Sequence, residues 1–275
     1  MELALSARLP GKRAFITGGG SGLGLALATR LARDGWRLGL LDRDPSRLAE
    51  AVTALSAAGA AAVEVYAADV SDEPAFRAAV AAFAARAGGL ELFVNNAGIA
   101  AVGALEGSSA DDWRAALEIN VVGVAIGCRA ALPILRRANA GAVLNVASAA
   151  AFTSPALGGI YNASKAAVVA ISETLAQELS GTGIGVTVAM PGFFPTRLLE
   201  SARGPDAAIA GARALMRGSR YTAERAAEAL LAACARGELY VVVPSLYRRL
   251  WLFKRLLPQR AMRLIGARVA RARSG

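Results

Sequence analysis

Three side chains near the middle of the chain have the types and spacing needed to move a proton. Tyr161 and Lys165 lie four residues apart in a predicted helix, and Ser148 lies thirteen residues upstream at the end of an apolar run. Residues four apart share a helix face, so the Lys165 ammonium lies near the Tyr161 phenol. A nearby cation favours the ionised phenol and lowers its pKa from roughly 10. This pattern predicts a tyrosine acid/base.

Other chemistries are excluded by residues that the chain lacks. It has no histidine, which excludes a Ser-His-Asp hydrolase, a histidine-ligated zinc site and a histidine general base. Two cysteines, Cys128 and Cys234, are too few for a usual zinc site, so we expect no metal and interpret both as reduced packing residues. Sparse cysteine is typical of a reducing compartment, which favours a cytoplasmic location.

The elements that must position these groups alternate between strand and helix. Short apolar runs predict seven strands, at residues 13–17, 37–41, 62–67, 90–94, 142–147, 186–189 and 239–243. Helical patterns lie near residues 22–34, 45–57, 72–87, 109–138, 159–181 and 223–236. Continuous apolar strands separated by helices indicate a parallel sheet covered on both faces. We expect an α/β fold, with a doubly wound, mainly parallel, seven-stranded Rossmann-like sheet and helices on both faces.

A glycine-rich turn joins the first predicted strand to the helix that follows it. Gly18, Gly22 and Gly24 lie in this turn, which is the context of a dinucleotide-binding motif. Glycines let the backbone approach a pyrophosphate, and the following helix points unpaired N–H groups and a partial positive charge at it. The turn therefore predicts a dinucleotide site.

Residues 10–200 resemble the classical short-chain dehydrogenase/reductase family, through this turn, the Ser148 and Tyr-x-x-x-Lys residues, and the Asn-Asn-Ala-Gly run at 95–98. The resemblance implies hydride transfer between a nicotinamide cofactor and an alcohol or ketone. It makes Tyr161 the acid/base, Lys165 the group that lowers its pKa and holds the nicotinamide ribose, and Ser148 a donor to the reacting oxygen. It makes Asn120 the site of a water that links Lys165 to solvent. An interhelical hydrogen bond is the other interpretation of Asn120.

The resemblance also implies a cofactor site at the ends of several strands. Its predicted members are Gly18, Ser21, Gly22, Leu23, Gly24, Asp42, Arg43, Asp69, Val70, Asn96, Ala97, Gly98, Tyr161, Lys165, Pro191, Gly192, Phe194 and Thr196. An acid at position 42 accepts hydrogen bonds from an adenosine ribose and repels a 2′-phosphate, which favours NAD. Arg43 beside it is typical of relatives that use NADP, so NADP stays an alternative.

Some of these residues have a second interpretation. Asp42 and Asp69 could each cap the helix that follows them in sequence. Phe193 and Phe194 could be core side chains instead of site residues. These alternatives are left open by the sequence.

An irregular stretch, residues 197–221, follows the sixth predicted strand at the edge where ligands bind, and it predicts a substrate lid. A surface helical insertion is the alternative. The predicted substrate-lining residues are Ala150, Phe152, Leu157, Phe193, Leu198 and Leu199. This set is apolar, which favours a lipid-like, steroid-like or aromatic alcohol or ketone over a free sugar. Arginines in the lid could instead meet an anionic group.

The net charge of +10 is concentrated at one end. Nine basic residues and no acid follow Pro244, and the rest of the chain has 22 basic and 21 acidic residues. We therefore divide the chain into a catalytic domain, 1–244, and a basic amphipathic tail, 245–275. Arginines mixed with Trp251 and Phe253 are typical of an interfacial membrane helix. Packing of the tail on the enzyme or across a dimer is the alternative. The near-neutral body argues against nucleic acid.

These observations favour an NAD-dependent dehydrogenase or reductase of an apolar alcohol or ketone. Family resemblance implies a homodimer or homotetramer. The tail predicts a contact with an anionic membrane surface, at the inner face of the membrane. Two other functions stay open: an NADPH-linked reductase of ketoacyl thioesters, and a non-catalytic protein that senses a dinucleotide.

Overall fold

The computed structural model describes residues 3–273, with side chains described as far as Gly266. The arginines and the valine of the predicted tail beyond that point (Arg268, Val269, Arg271 and Arg273) lie outside the described side chains.

A single parallel sheet forms the centre of the described chain. Its seven strands are β1 (Arg13–Thr17), β2 (Arg37–Asp42), β3 (Ala62–Ala67), β4 (Leu92–Asn95), β5 (Gly141–Val146), β6 (Ile184–Pro191) and β7 (Tyr240–Val243). They run in the order β3-β2-β1-β4-β5-β6-β7, and every neighbouring pair is parallel. The predicted doubly wound Rossmann-like sheet is confirmed. The largest boundary difference is in β6, which is longer at both ends than the prediction.

The described chain has twelve helices, several of which cover the two faces of this sheet. They are α1 (Ala4–Arg8), α2 (Gly22–Ala32), α3 (Pro45–Ala57), α4 (Glu73–Ala87), α5 (Ala110–Leu117), α6 (Gly123–Ala138), α7 (Ala150–Thr153), α8 (Gly159–Glu178), α9 (Asp206–Arg217), α10 (Ala223–Arg236), α11 (Ser245–Leu256) and α12 (Pro258–Arg273). Three short turns of other helix types are Leu105–Gly107, Glu118–Val122 and Arg197–Ser201.

Two hydrophobic cores lie on opposite faces of the sheet. On one face, buried side chains of α2, α3 and α10 pack together, among them Leu27, Leu55 and Leu230. On the other face, aromatic residues of the sheet and α4 pack together, and side chains of α6 and α8 join them. Phe15 and Phe93 of this second core stack at 5.8 Å between ring centroids. The continuous apolar strands of the sequence are thus buried on both sides, which is what a parallel sheet requires.

The chain reverses its winding direction between β1 and β4, which are neighbours in the sheet. Strand order leads outward from β1 through β2 to β3, and outward from β4 to β7. In open α/β sheets the crevice beyond the carboxyl ends of the strands at such a reversal is where ligands bind.

One long helical stretch, Ala110–Ala138, is apolar enough by length and composition to cross a membrane. A π-helical turn at Glu118–Val122 interrupts it. The stretch packs against α4, α8, β4 and β5. We therefore interpret it as a core helix of the fold.

The predicted lid and tail both form helices. Residues 197–221 contain the turn Arg197–Ser201 and helix α9. Helix α11 packs against β7 and α7, with Tyr247, Leu250 and Trp251 on the core that α8 also covers. One side of α11 therefore packs on the body of the enzyme, as the packing alternative for the tail proposed.

Candidate active site

The glycine-rich turn lies at the carboxyl end of β1 and leads into the N-terminus of α2. Gly18 and Gly22 have φ values of 62° and 54°, a left-handed conformation that glycine adopts without strain. A Cβ on Gly24 would lie 2.2 Å from the Gly18 carbonyl oxygen, so only glycine permits this contact of helix and turn. The turn leaves the first N–H groups of α2 facing the cleft, where a phosphate fits.

The Asn-Asn-Ala-Gly run holds this turn from the neighbouring strand. The Asn96 side chain donates to the carbonyls of Thr17 and Gly18, at 3.0 and 3.2 Å. In return, the Thr17 hydroxyl accepts from the backbone N–H groups of Asn96 and Ala97, both at 3.0 Å. These bonds join the ends of β1 and β4 into one wall of the cleft.

The acidic residue at the end of β2 does not cap a helix. Asp44 caps α3, since its carboxylate accepts from the N–H groups of Ser46 and Arg47. Asp42 instead accepts from the backbone N–H groups of Gly20 and Asp44, both at 3.2 Å. Its carboxylate therefore lies against the glycine turn. Arg43 lines the same end of the cleft.

Asp69 does not cap a helix either. Asp72 caps α4 by accepting from the N–H of Ala75 at 3.0 Å. The Asp69 carboxylate accepts from the backbone N–H and the hydroxyl of Ser71, at 2.9 and 2.7 Å. Asp69 and Val70 line the cleft beside the β2 residues.

Ser148 and Tyr161 meet at the centre of the cleft. Ser148 follows β5, and its hydroxyl accepts from the N–H of Ala150 at 3.1 Å, which fixes the start of α7. Tyr161 projects from the first turns of α8. Burial raises the pKa of Tyr161 to about 12, and a hydrogen bond with Ser148 acts in the opposite direction. The lowered pKa expected from the sequence is therefore wrong for this structure, because desolvation of the phenol outweighs the stabilisation of the phenolate.

Lys165 lies beneath Tyr161, with its Nζ 5.8 Å from the phenol ring centroid. The lysine is buried and donates to the Val146 carbonyl oxygen at 2.9 Å. Burial lowers the pKa of Lys165 to about 8, because the charged ammonium is desolvated. The buried ammonium thus gives up its proton more readily than that of an exposed lysine.

Asn120 forms the floor of the site from the π-helical turn. It is fully buried, accepts from the N–H of Ile99 at 2.8 Å, and donates to the Ile99 carbonyl and the Ser164 hydroxyl at 3.0 Å each. A Cβ on Gly98 would lie 2.9 Å from Asn120 Oδ1 and 3.4 Å from Lys165 Nζ. The interhelical hydrogen bond to α8 is thus present, and Asn120 also lies near the Lys165 ammonium. π-Helical turns are frequent at functional sites.

The segment after β6 closes the other side of the cleft. The nearest atom to a Cβ on Gly22 would be the Thr196 Cβ, at 3.5 Å, so the Thr196 segment faces the glycine turn. Phe194 is buried in the core and has an edge contact with Tyr221 at 6.1 Å, yet it also lines the cleft. Phe193 is exposed at the mouth of the cleft. The core interpretation therefore holds in part for Phe194 and not for Phe193.

These walls enclose a cavity of about 810 Å³. All but three of the predicted site residues line it, and the three that do not are Gly24, Asn120 and Phe152. Gly24 and Asn120 lie directly behind lining residues. The prediction that Phe152 lines the substrate pocket is wrong: its side chain is buried in the core that α8 and α11 cover. Helix α7 directs this ring inward, away from the cleft.

The substrate end of the cavity is apolar. Its lining there includes Ala100, Ala101, Leu157, Leu199 and Met216. Of the residues that line the described cavity, only Asp42 and Asp69 are acidic, and both belong to the β2 and β3 end. Within the described residues no three metal-binding side chains come together.

Several residues of the site were not predicted from the sequence. Arg47 lines the cleft and forms ion pairs with Asp44 at 2.9 Å and with Glu200 of the lid segment at 3.0 Å. From α11, Tyr247 packs its ring against Gly192, and Lys254 donates to the Phe152 carbonyl at 2.6 Å. No local pattern marks such contacts, because the partners are far apart in sequence. The only available signal for Arg47 was its position in the first turn of α3.

A comparison with protein families matches residues 12–206 to the short chain dehydrogenase model. Two relatives share about a third of their aligned residues with this chain. D-threitol dehydrogenase of Mycolicibacterium smegmatis is 37% identical over 191 residues, covering 70% of this chain and 73% of the relative. The 2,5-dichloro-2,5-cyclohexadiene-1,4-diol dehydrogenase LinX of Sphingobium indicum is 34% identical over 192 residues, covering 70% and 76%.

Solved structures share the fold. A short chain dehydrogenase/reductase from Burkholderia phymatum, crystallised in complex with NAD, superimposes with a TM-score of 0.80 at 35% sequence identity. The superposition covers 89% of this chain and 94% of that one. The superposition therefore covers a larger share of the chain than the matched family segment, residues 12–206.

Proposed function

This chain belongs to the short chain dehydrogenase family of oxidoreductases, and on that premise we propose that it oxidises an apolar alcohol, or reduces the corresponding ketone, with NAD. One observation carries the proposal. Ser148, Tyr161 and Lys165 converge at the centre of a cavity whose substrate end is otherwise apolar. Convergent polar groups with shifted pKa values in an apolar cavity are characteristic of an active site.

The cavity fits a nicotinamide dinucleotide. Gly18, Gly22 and Gly24 leave the space that side chains would fill, and the N-terminus of α2 offers N–H groups to a pyrophosphate. In this proposal Asp42 and Asp69 accept from the adenosine end. Asn96, Thr196 and Pro191 line the same cavity and meet the rest of the cofactor. When bound, the nicotinamide ring supplies or accepts the hydride.

Tyr161 then handles the proton. In reduction the phenol donates a proton to the carbonyl oxygen of the substrate, and in oxidation the phenolate takes the proton from the alcohol. Ser148, already within hydrogen-bonding reach of Tyr161, donates to the same oxygen and fixes the substrate between them. Lys165, with its pKa near 8, holds a positive charge beneath the phenol when protonated and so stabilises the phenolate as it forms.

Asn120 positions Lys165 in this scheme. Its amide donates to the Ile99 carbonyl and the Ser164 hydroxyl and its oxygen accepts from the Ile99 N–H, so it fixes the backbone behind Gly98 and the face of α8 that carries Tyr161. A water held between Asn120 and Lys165, as the family resemblance implies, would pass protons from solvent to the lysine.

NAD is the favoured cofactor because the Asp42 carboxylate lies against the glycine turn. A 2′-phosphate there would approach this negative charge and be repelled. The neighbouring Arg47, which could attract such a phosphate, is held in ion pairs with Asp44 and Glu200. Arg43 is exposed at the same end and is the feature that favours the rival function, an NADPH-linked reductase.

The substrate class follows from the lining of the cavity. Leucine, alanine and methionine side chains at the substrate end leave Ser148 and Tyr161 to hold one oxygen and offer no acidic partner for a sugar. The dehydrogenases similar to this chain are named for compounds as different as threitol and a dichlorocyclohexadiene diol. Membership of the family therefore does not identify the substrate. An aromatic, alicyclic or lipid-like alcohol fits these walls.

The remaining features of the proposed enzyme concern assembly and location. We propose a homodimer or homotetramer that works in the cytoplasm, with catalysis carried by residues 1–244. Residues 245–275 are proposed to bring the enzyme to the inner face of the membrane.

A substrate panel tests the proposed function. Purified full-length protein is assayed with NAD and with NADP against a cyclohexanol, a long-chain 2-alkanol, an aromatic alcohol, a tetritol and a ketoacyl thioester, while nicotinamide absorbance is followed. We expect turnover of an apolar alcohol with NAD. Turnover of the thioester with NADPH alone would establish the rival reductase. NAD binding without turnover of any substrate, in either direction, would favour a dinucleotide sensor.

A further inference from the structure

Helices α11 and α12 present a surface that the packing of the enzyme does not use. On the inward side of α11, Tyr247, Leu250 and Trp251 contact the core. The outward side carries Leu252 and Leu256, which are 46% and 78% exposed and lie one turn apart. Packing of α11 on the body therefore explains one side of the helix and leaves large apolar side chains on the other.

The charges that α11 and α12 themselves contribute are all of one sign. Arg249 is exposed and lies on the same side of α11, three residues before Leu252 and seven before Leu256. On α12, Arg260 and Arg263 are exposed beside Met262 and Leu264, which are also exposed, as is Leu257 between the two helices. The segment from Ser245 onward contains no acid. We use the name basic face for the exposed residues of these two packed helices, which are Arg249, Leu252, Leu256, Arg260, Arg263 and Leu264.

We infer that the basic face is a docking surface for an anionic lipid bilayer. Leucines that enter the interfacial region, with arginines beside them at the headgroups, are the combination that binds such a surface. Each arginine near an anionic leaflet adds attraction, which salt screens.

A second copy of the chain fits this face poorly. Twofold self-association would place the basic face against itself and bring like charges together without an acid to pair with them. A nucleic acid would use the arginines but would leave the exposed leucines in water. The lipid surface is the occupant that uses both.

The same helix joins the basic face to the walls of the candidate active site. Its inward side contacts Gly192 through Tyr247, next to Phe193 at the cavity mouth, and Phe152 of α7 through Lys254. Docking therefore brings the lipid surface within one helix diameter of the cavity walls. The enzyme would take an apolar substrate from the bilayer, and this part of the inference rests on the proposed function.

Vesicle sedimentation of the full-length chain tests the docking. We expect binding to phosphatidylglycerol vesicles, little binding to phosphatidylcholine vesicles, and release as salt rises. The double variant Arg249→Glu/Arg260→Glu should lose at least about tenfold in partitioning, since each removed or reversed charge weakens attraction. The matched control is Arg136→Glu/Arg137→Glu, which reverses two exposed arginines at the end of α6 and should partition within about twofold of the unchanged chain.

A second variant separates lipid insertion from charge alone. Leu252→Ser/Leu256→Ser keeps every charge, and it should weaken vesicle binding while leaving binding to double-stranded DNA unchanged. Equal loss in the control variant, or vesicle binding that ignores the two leucines, would overturn the inference. A change of oligomer size in the leucine variant, with vesicle binding unchanged, would instead identify the face as a contact between copies.

The catalytic part is tested separately from the docking. Oxidation of a vesicle-borne long-chain alcohol should slow in Arg249→Glu/Arg260→Glu, whereas oxidation of a water-soluble alcohol should be unchanged. If the chain binds vesicles but oxidises neither alcohol, the docking surface stands and the proposed function fails. If soluble substrate is oxidised but vesicles are not bound, the function stands and the docking surface fails.

Discussion

The two sides of the cleft are held together by different interactions. The side built from β1 to β4 is fixed by backbone hydrogen bonds and glycines, as in the exchange between Thr17 and Asn96. The side built after β6 is fixed by packing and by exposed ion pairs, as in the contact between Arg47 and Glu200. Backbone geometry leaves little freedom, whereas an exposed ion pair contributes about 0–1 kcal/mol. We therefore expect the first side to be rigid and the second to open and close.

This difference matches the partners that each side is proposed to hold. A dinucleotide presents a pyrophosphate that fixed backbone N–H groups can bind, so a rigid cradle suits it. An apolar substrate must enter and leave, and a wall that moves allows this. The catalytic residues stand on the boundary, since Tyr161 is on α8 and Ser148 ends β5.

Loss of the Tyr161 hydroxyl should have the largest effect. Tyr161→Phe keeps the ring and its packing but removes the proton donor, so turnover should fall by about 10²- to 10⁴-fold. NAD affinity and the unfolding midpoint should stay close to those of the unchanged protein. Tyr66→Phe is the matched control, because this tyrosine is hydrogen-bonded to Glu64 on β3, outside the cleft. Turnover of Tyr161→Phe equal to that of the control would exclude the proposed acid/base.

The sequence was sufficient to predict much of the fold, including the glycine turn that follows β1. Periodicity and glycine position predict β1, α2 and the turn between them, because these features act over a few residues. It could not predict that Phe152 turns away from the pocket, because the direction of that ring depends on packing below α7. The Arg47–Glu200 contact was not predicted because 153 residues separate the two partners in sequence.

The direction of the Tyr161 pKa was also beyond the sequence. Spacing places Lys165 near the phenol, but the burial of both groups is a property of the assembled fold. The sequence shows which charged residues are close along the chain. The desolvation that shifts their pKa values depends on the side chains packed around them in the fold.

A change of the β2 acid should have the next largest effect, on cofactor choice. Asp42→Ala removes the negative charge that faces a 2′-phosphate, so the NAD-to-NADP ratio of kcat/KM should fall by about tenfold or more, since a charged hydrogen bond contributes about 1.5–3 kcal/mol. Asp42→Asn keeps an acceptor for the Gly20 N–H and removes only the charge. A ratio that falls equally in both variants assigns the effect to charge. A wild-type preference for NADP would contradict our interpretation of Asp42.

Lys165 provides a test through stability and pH. Burial holds its pKa near 8 in the folded chain, below the value of 10.5 for an unperturbed lysine. Between these two pH values the unfolded chain binds the proton and the folded chain does not, so folding stability rises with pH. Lys165→Met lacks this group.

The measurement is the free energy of unfolding of both proteins in urea, at several pH values from about 7 to about 10. The wild type should gain stability relative to Lys165→Met as the pH rises through this window, because the penalty for a buried charge disappears. A difference that stays constant would show that the Lys165 ammonium is not desolvated. A wild type that loses stability relative to Lys165→Met as the pH rises would give the opposite sign and contradict the burial of the charge.

The smallest expected effect concerns the moving side of the cleft. Glu200→Gln breaks the ion pair that connects the lid segment to Arg47 across the cofactor cleft, while it keeps the size of the side chain. The pair is half exposed, so its loss should raise the NADH dissociation rate by only about two- to fivefold. The effect should also diminish with added salt, because exposed charges are screened.

Glu238→Gln breaks an exposed pair with Arg236 outside the cleft and serves as the control. Stopped-flow displacement of NADH distinguishes the two. A faster release in Glu200→Gln alone would show that the weak side of the cleft controls cofactor exchange, whereas equal rates in both variants would mean that the lid is held by Thr196 and the packing of Phe194 instead.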